Sequence, residues 1–239
     1  MNNRRSLIAA ILGGGLLLGA AGIGFVYFVV FAGSSPQKLA LSSPTPTASG
    51  SASSSASTAG AGTWTVTSGS QAGYRVREQL ASLPAPSDAV GRTSAVTGTL
   101  TLSQSASAFS VTAADFTVDV SKLTSDQSRR DQRIHSQGLQ SDRYPTATFK
   151  LTAPIALATD VTSGQTVHVS ATGDLTIHGV TKSVTIPIDA RLTGSKIELV
   201  GTITFPFSQF GMTPPSIGGF VTVQKNATME FQLLLAQGA

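Results

Sequence analysis

From Trp64 onward the chain alternates apolar and polar residues with a period of two. Val96, Gly98, Leu100 and Leu102 are interleaved with Thr97, Thr99 and Thr101. Phe116, Val118 and Val120 alternate with Thr117 and Asp119, and Phe149 and Leu151 with Lys150 and Thr152. Val167, Val169 and Ala171 repeat the pattern, as do Val184, Ile186, Ile188 and Ala190, and finally Met229, Phe231 and Leu233. A strand sends successive side chains to opposite faces, so sustained alternation marks half-buried strands. The abundance of threonine and valine agrees. About eight or nine such runs follow one another with short turn segments between them, which predicts an antiparallel sandwich or barrel. Ile177-His178-Gly179-Val180 reads as one hairpin tip.

One stretch breaks the alternation. Thr124-Ser125-Asp126-Gln127 reads as a helix start, with Thr124 as cap and Gln127 in the capping-box position, and Gly138 reads as its stop. The residues between are mostly polar. The pattern predicts a short helix across an edge or an open end of the sheet.

The first 62 residues follow a different rule. Leu7 to Ala32 carries no charge and is almost wholly apolar. At ~1.5 Å rise per residue it reaches about 39 Å, more than the ~30 Å hydrocarbon core of a bilayer. Arg4 and Arg5 precede it, which predicts a single-pass anchor at 7–32 with residues 1–6 in the cytoplasm and the rest outside the cell membrane. A cleaved signal peptide is the competing reading, but apolar residues from Phe25 to Phe31 run on past the small residues Gly19–Gly22. Residues 33–62 are almost entirely Ser, Thr, Ala, Gly and Pro and read as a disordered tether. The domain assignment is therefore 63–239.

Composition narrows the chemistry. The chain has no cysteine, which excludes disulfides, thiol catalysis and cysteine-ligated metals. Its formal charge is +4, but Arg4, Arg5 and Lys38 lie before residue 63 without any acid, so the folded part is nearly neutral and carries no footprint for nucleic acid. Arg129, Arg130 and Arg133 form a basic cluster, interrupted by Asp126 and Asp131, that reads as a solvated helix face. His135 stands four residues from Asp131 and can pair with it on the helix. His168 lies on the polar phase of its strand, and His178 sits at the hairpin tip. None has a metal-ligand spacing, and no catalytic group or metal site is nominated. Phe205, Phe207, Phe210 and Met212 form a dense apolar run beside Pro206, Pro214 and Pro215. Composition alone leaves two readings for it, ordinary core or the lining of an apolar cavity.

The residues from about Thr63 to Ala236 resemble the YceI-like domain. The resemblance rests on Trp64-Thr65-Val66 with Ser70 and Tyr74, on Val96-Thr97-Gly98, and on Leu123-Thr124-Ser125 followed by Arg130-Asp131. It rests also on Tyr144-Pro145-Thr146-Ala147-Thr148-Phe149, on Gly173 to Thr181, and on Phe210-Gly211-Met212. The chain departs from the family at Thr67–Ser70, which lacks a histidine. It departs also at Glu78 to Thr93, which looks like an insertion, and at Thr99 after Gly98.

The resemblance implies an elongated, lipocalin-like antiparallel barrel of about eight strands. Its tunnel would hold a polyprenyl chain, either a quinone tail or a carrier lipid, with no catalytic residues. The expected activity is non-enzymatic binding, storage or local transfer of such a lipid at the outer membrane face. No cofactor is required beyond a bound polyisoprenoid, and the expected partners are the lipid and the membrane. A homodimer has no support in the sequence. The lining residues expected on this reading are Phe116, Val118, Phe149, Leu151, Ile186, Ile188, Phe205, Phe207, Phe210 and Met212. The alternatives are a stress-related or structural barrel with a packed core and no ligand, and a hydrolase using His135 and Asp131.

Overall fold

The alternating runs become strands that pair antiparallel throughout. The computed structural model describes residues 35–43, 60–80, 86–105, 108–157, 164–193, 195–215 and 221–237. The predicted membrane helix at 7–32 lies outside them, and among the described residues no helix is long and apolar enough to cross a membrane. Gln37–Ala239 is one compact unit, with the strands numbered here in chain order.

Its strands are β1 (Gly62–Val66), β2 (Gln71–Leu80), β3 (Ser87–Thr93), β4 (Val96–Ser105), β5 (Ala108–Asp119) and β6 (Thr146–Leu151). They continue with β7 (Ile155–Ala156), β8 (Thr166–Ile177), β9 (Val180–Thr193), β10 (Lys196–Pro206) and β11 (Val221–Gln237). Eight of them close a barrel in the order β1, β4, β5, β6, β8, β9, β10, β11 and back to β1. Closure is made by the short β1, whose Trp64 faces Gln237 of β11 on one side and Leu100 of β4 on the other. Closing the ring leaves those strands no open edge along β1, the usual solution to unpaired backbone groups. Further along, β11 pairs instead with β2, and the hairpin β2–β3 rises from that side. The stretch Glu78 to Thr93, which read as an insertion, is therefore largely the body of this hairpin.

The predicted tip at Ile177–Val180 is a two-residue turn. His178 and Gly179 both have positive φ, 54° and 73°, as a type I′ turn demands.

The interruption before Gly138 is helical, but it starts later than the sequence suggests. Helix α1 covers Ser128–Arg133 and continues as one wide turn, Ile134–Gly138. Thr124 does not cap it. Its backbone instead forms an isolated antiparallel bridge with Arg92 of β3. No side chain caps the helix at Gln127, and the segment before it is tied back from within the helix instead. The Asp131 carboxylate accepts from the Ser125 amide at 2.9 Å and from its hydroxyl at 2.6 Å. A charged acceptor makes the stronger hydrogen bond, and it prevails over the neutral box read from Thr124 and Gln127. This same bond removes Asp131 from the expected pair with His135.

The stretch read as a tether also departs from expectation where it is described. The Ser42 amide and hydroxyl both donate to Glu198 Oε1 at 2.9 Å, and the Arg92 guanidinium donates to the Gln37 carbonyl. Glu198 and Arg92 point outward from β10 and β3, so residues 37–43 lie along the outer wall as a strap. Leu39 and Leu41 are half-buried there. Composition argued for a free chain, but an alternating Leu–Ala–Leu and two outward-facing charged groups give this piece something to bind.

Candidate functional site

The barrel interior is not filled. The inward side chains of β4 to β11 surround an inner cavity of about 150 Å³. Of the residues around it, only Thr148 and Arg191 are polar. A second cavity, of about 350 Å³, lies at the end where α1 and the β2–β3 hairpin meet. The two share Ala72, Val118, Ala147 and Met229 as wall residues, so they abut along one axis.

Glycines on neighbouring strands shape the wall. The Phe116 ring lies across Gly98, where an added Cβ would stand 2.6 Å from the ring. Phe149 lies over Gly173 and Phe231 over Gly201 in the same way, at 2.6 Å and 2.5 Å. Tyr74 covers Gly91 at 2.3 Å. With no side chain on these glycines, the rings take up the space that a Cβ would need. Phe116, Val118, Phe149 and Leu151 are accordingly only half-buried although they face inward, because no atoms fill the space beside them.

The structure sorts the expected lining residues into three places. Phe116, Val118, Phe149, Leu151, Ile186 and Ile188 line the inner cavity. Phe205, Phe207 and Met212 line the helix-end cavity. Phe210 lines neither. It is fully buried, packed edge-on against Phe205 at 4.8 Å between centroids, and belongs to the core. The one-turn helix Phe207–Phe210 rotates it away from the phase of Phe205.

The helix-end cavity also holds polar residues that the sequence reading left outside the site. Tyr74, Val76 and Glu78 follow one another on the inward phase of β2 and all line it. Arg129, Arg130 and Arg133 line it as well. The cluster read as a solvated face thus borders a cavity, and the exposed Arg129 places that border at solvent. Arg130 is committed: it pairs with Glu78 at 2.7 Å and with Asp126. Burial works to lower the Arg130 pKa, but the two carboxylates outweigh it and raise it. The Tyr74 hydroxyl is buried close to Arg130, Asp131 and Ser125, outside the length and angle of a regular hydrogen bond. Burial raises its pKa well above the ordinary phenol value, with Arg130 opposing, so it remains a neutral donor. The signal available in the sequence was Glu78, a carboxylate on an inward phase that demands a cation opposite it.

Each histidine has a local partner. Leu123 O can only accept, so the His135 Nε2 donates to it at 3.1 Å and Nδ1 accepts from Ser141 at 2.5 Å. Ser141 is 1% exposed and lines neither cavity. His168 is exposed and meets Asp189 at 2.6 Å. His178 packs on Tyr144 and donates to the Phe210 carbonyl at 3.3 Å. No cluster of three or more metal-ligating side chains occurs among the described residues.

The profile of the YceI-like domain matches residues 64–235, most of the chain.

The chain belongs to the YceI-like family.

A UPF0312 protein of Vibrio parahaemolyticus is 30% identical over 114 residues, which cover 45% of this chain and 57% of that protein. The match thus spans little more than half of that relative's length. A polyisoprenoid-binding domain from Saccharophagus degradans superposes with a TM-score of 0.55 at 11% identity, covering 75% of this chain and all of that one. Burkholderia cenocepacia BcnA superposes at 0.50 with 20% identity, covering 68% and 95%. At such identities these two establish the shared YceI-like barrel.

Proposed function

We propose that this YceI-like barrel binds an isoprenoid-type lipid in its interior and stores it or hands it on locally, without catalysis. The observation that carries the reading is the unfilled, almost wholly apolar axis held open by aromatic rings laid over glycines. A slender hydrocarbon suits it: each buried methylene contributes about 0.8 kcal/mol, so a chain needs few polar contacts to be held. The solved relative named for polyisoprenoid binding supports the same class of ligand. A fully packed structural barrel would have no reason to keep this space.

The apolar segment at 7–32 and its flanking arginines support placement of the barrel at the outer face of the cell membrane, where such lipids reside. The test is a blocked barrel. Val169 faces the inner cavity and is half-buried, so Val169→Trp puts an indole on the axis. The full chain carrying this change should keep its β-sheet circular dichroism and lose uptake of an added all-trans prenol. Undiminished uptake by the folded variant would overturn the reading.

A further inference from the structure

The outer wall holds buried groups that need a cover. Ile197 and Leu199 of β10 line the inner cavity, so Glu198 and Val200 face out. Val200 is nevertheless buried, and it stands apart from the core cluster. Its ladder partner is Gln232 of β11, and two places along β11 from Gln232 is Glu230, 0% exposed. The strap 37–43 crosses this patch and is fixed at both ends. At one end the Arg92 guanidinium donates to the Gln37 carbonyl. At the other, Arg191 donates to the Ser42 carbonyl, while the Ser42 amide and hydroxyl donate to Glu198 at 2.9 Å. Each of these bonds has a charged partner, which makes it stronger than a neutral one. Leu39 and Leu41 are half-buried between the two ends.

The first of these ends lies beside the helix-end cavity. Arg92 faces Gly73 across the β2–β3 ladder, and Gly73 lines that cavity. The Arg92 backbone also bridges to Thr124, just before α1. Residues 33–36 are all that separates the strap from the apolar segment 7–32. Fully extended, four residues reach about 14 Å. With the strap undocked, the chain from residue 33 to β1 would reach about 100 Å.

We propose that the strap is a standoff clamp: docked on the outer wall, it holds the helix-end cavity beside the bilayer. This rests on the placement of residues 7–32 in the membrane proposed above and adds how far the barrel stands from it. The strap divides the linker into two parts with different roles. Residues 33–36 set the distance to the membrane, and residues 44–59 complete the path to β1. A hydrocarbon ligand then passes between bilayer and barrel at short range, at the end of the barrel kept next to the lipid.

The experiment lengthens each part of the linker separately. The chain has no cysteine, so Ser128→Cys, at an exposed position opening α1, gives one attachment point for a dye. The labelled full-length protein is reconstituted into phosphatidylcholine vesicles containing a lipid with an acceptor dye on its head group, and energy transfer is measured. A Gly/Ser insert of about 12 residues, spanning about 20 Å on average, is placed after Gly33 or after Gly50. The insert after Gly33 should remove most of the transfer, and the same insert after Gly50 should leave it unchanged. Leu41→Asp/Ser42→Pro, which removes both Ser42 donors and a half-buried contact outside the barrel, should lose most of the transfer with no insert. Equal losses from the two inserts would overturn the clamp, since the linker would then act as one chain. Transfer that neither insert lowers, or that Leu41→Asp/Ser42→Pro leaves intact, would overturn it too. A chain that does not float with the vesicles overturns the membrane placement itself.

Discussion

The ring of Phe231 rests on Gly201 of the facing strand, so closely that a Cβ on Gly201 would stand 2.5 Å from the Phe231 Cζ and 2.9 Å from the Ile188 Cδ1. The two residues are direct partners in the β10–β11 ladder. The contact couples packing to cavity shape: the glycine lets the ring lie along the wall rather than across the axis.

Gly201→Ala should therefore push Phe231 or Ile188 toward the axis. Overpacking of this kind costs about 1–3 kcal/mol. Urea unfolding should show that loss, and uptake of a prenol should drop in parallel. A variant of unchanged stability and unchanged uptake would show that the wall yields without cost.

Phe205 should behave as core despite its place beside a cavity. It is 5% exposed and packs edge-on against the fully buried Phe210. Phe205→Ala is expected to cost about 3–5 kcal/mol, measured by chemical denaturation. A loss under 1 kcal/mol would mean that the ring is supported on one side only.

The outer wall carries a buried carboxylate, Glu230, wholly inaccessible and bonded to Arg92 at 2.7 Å and Arg75 at 3.3 Å. Removing one partner of a buried charge set leaves the others uncompensated, at about 3–5 kcal/mol. Glu230→Ala should destabilise by that order, whereas Asp189→Ala, at an exposed pair with His168, should change stability by less than about 1 kcal/mol. The comparison is made by thermal unfolding of both variants. Equal losses would contradict the assignment of strength to burial.

The strap 37–43 should respond to acid. Burial works to raise the Glu198 pKa, but hydrogen bonds from Gln232, Ser42 and Arg191 outweigh it and hold the carboxyl below its usual 4.5. A depressed carboxylate stabilises the docked strap above the unfolded pKa, and that stabilisation is lost as pH falls through the lowered value. The Ser42 amide resonance, hydrogen-bonded to Glu198 at 2.9 Å, should titrate with a midpoint below 4.5. A midpoint at or above 4.5 would mean that the bond does not persist in solution.

Much of the fold could be read from side-chain period alone, because burial on one face forces alternation in every strand of the barrel. Ring closure could not. It depends on Trp64 meeting Gln237 across nearly the whole domain, in a strand of only five residues. The helix was placed but mis-capped, since Thr124 looks like a cap until Arg92 claims its backbone. The inward phase of Phe116, Val118, Phe149, Leu151, Ile186 and Ile188 could be read for the same reason as the strands. Phe210 was not, because a single helical turn breaks the phase that its neighbours Phe205 and Phe207 announce. The arginine cluster was visible, but only the approach of Glu78 from β2 shows that it borders a cavity. Nothing in Leu39, Leu41 and Ser42 alone announces a docking partner on β10.

The most direct test of a lipid-holding barrel is what the protein carries out of the cell. The full chain, purified in mild detergent and washed, is extracted with organic solvent, and the extract is analysed by mass spectrometry against a mock purification. An isoprenoid-type lipid approaching one per barrel is expected, absent from the mock and depleted in Val169→Trp. An extract with no such lipid, from a folded protein that also takes up none when offered, would contradict it.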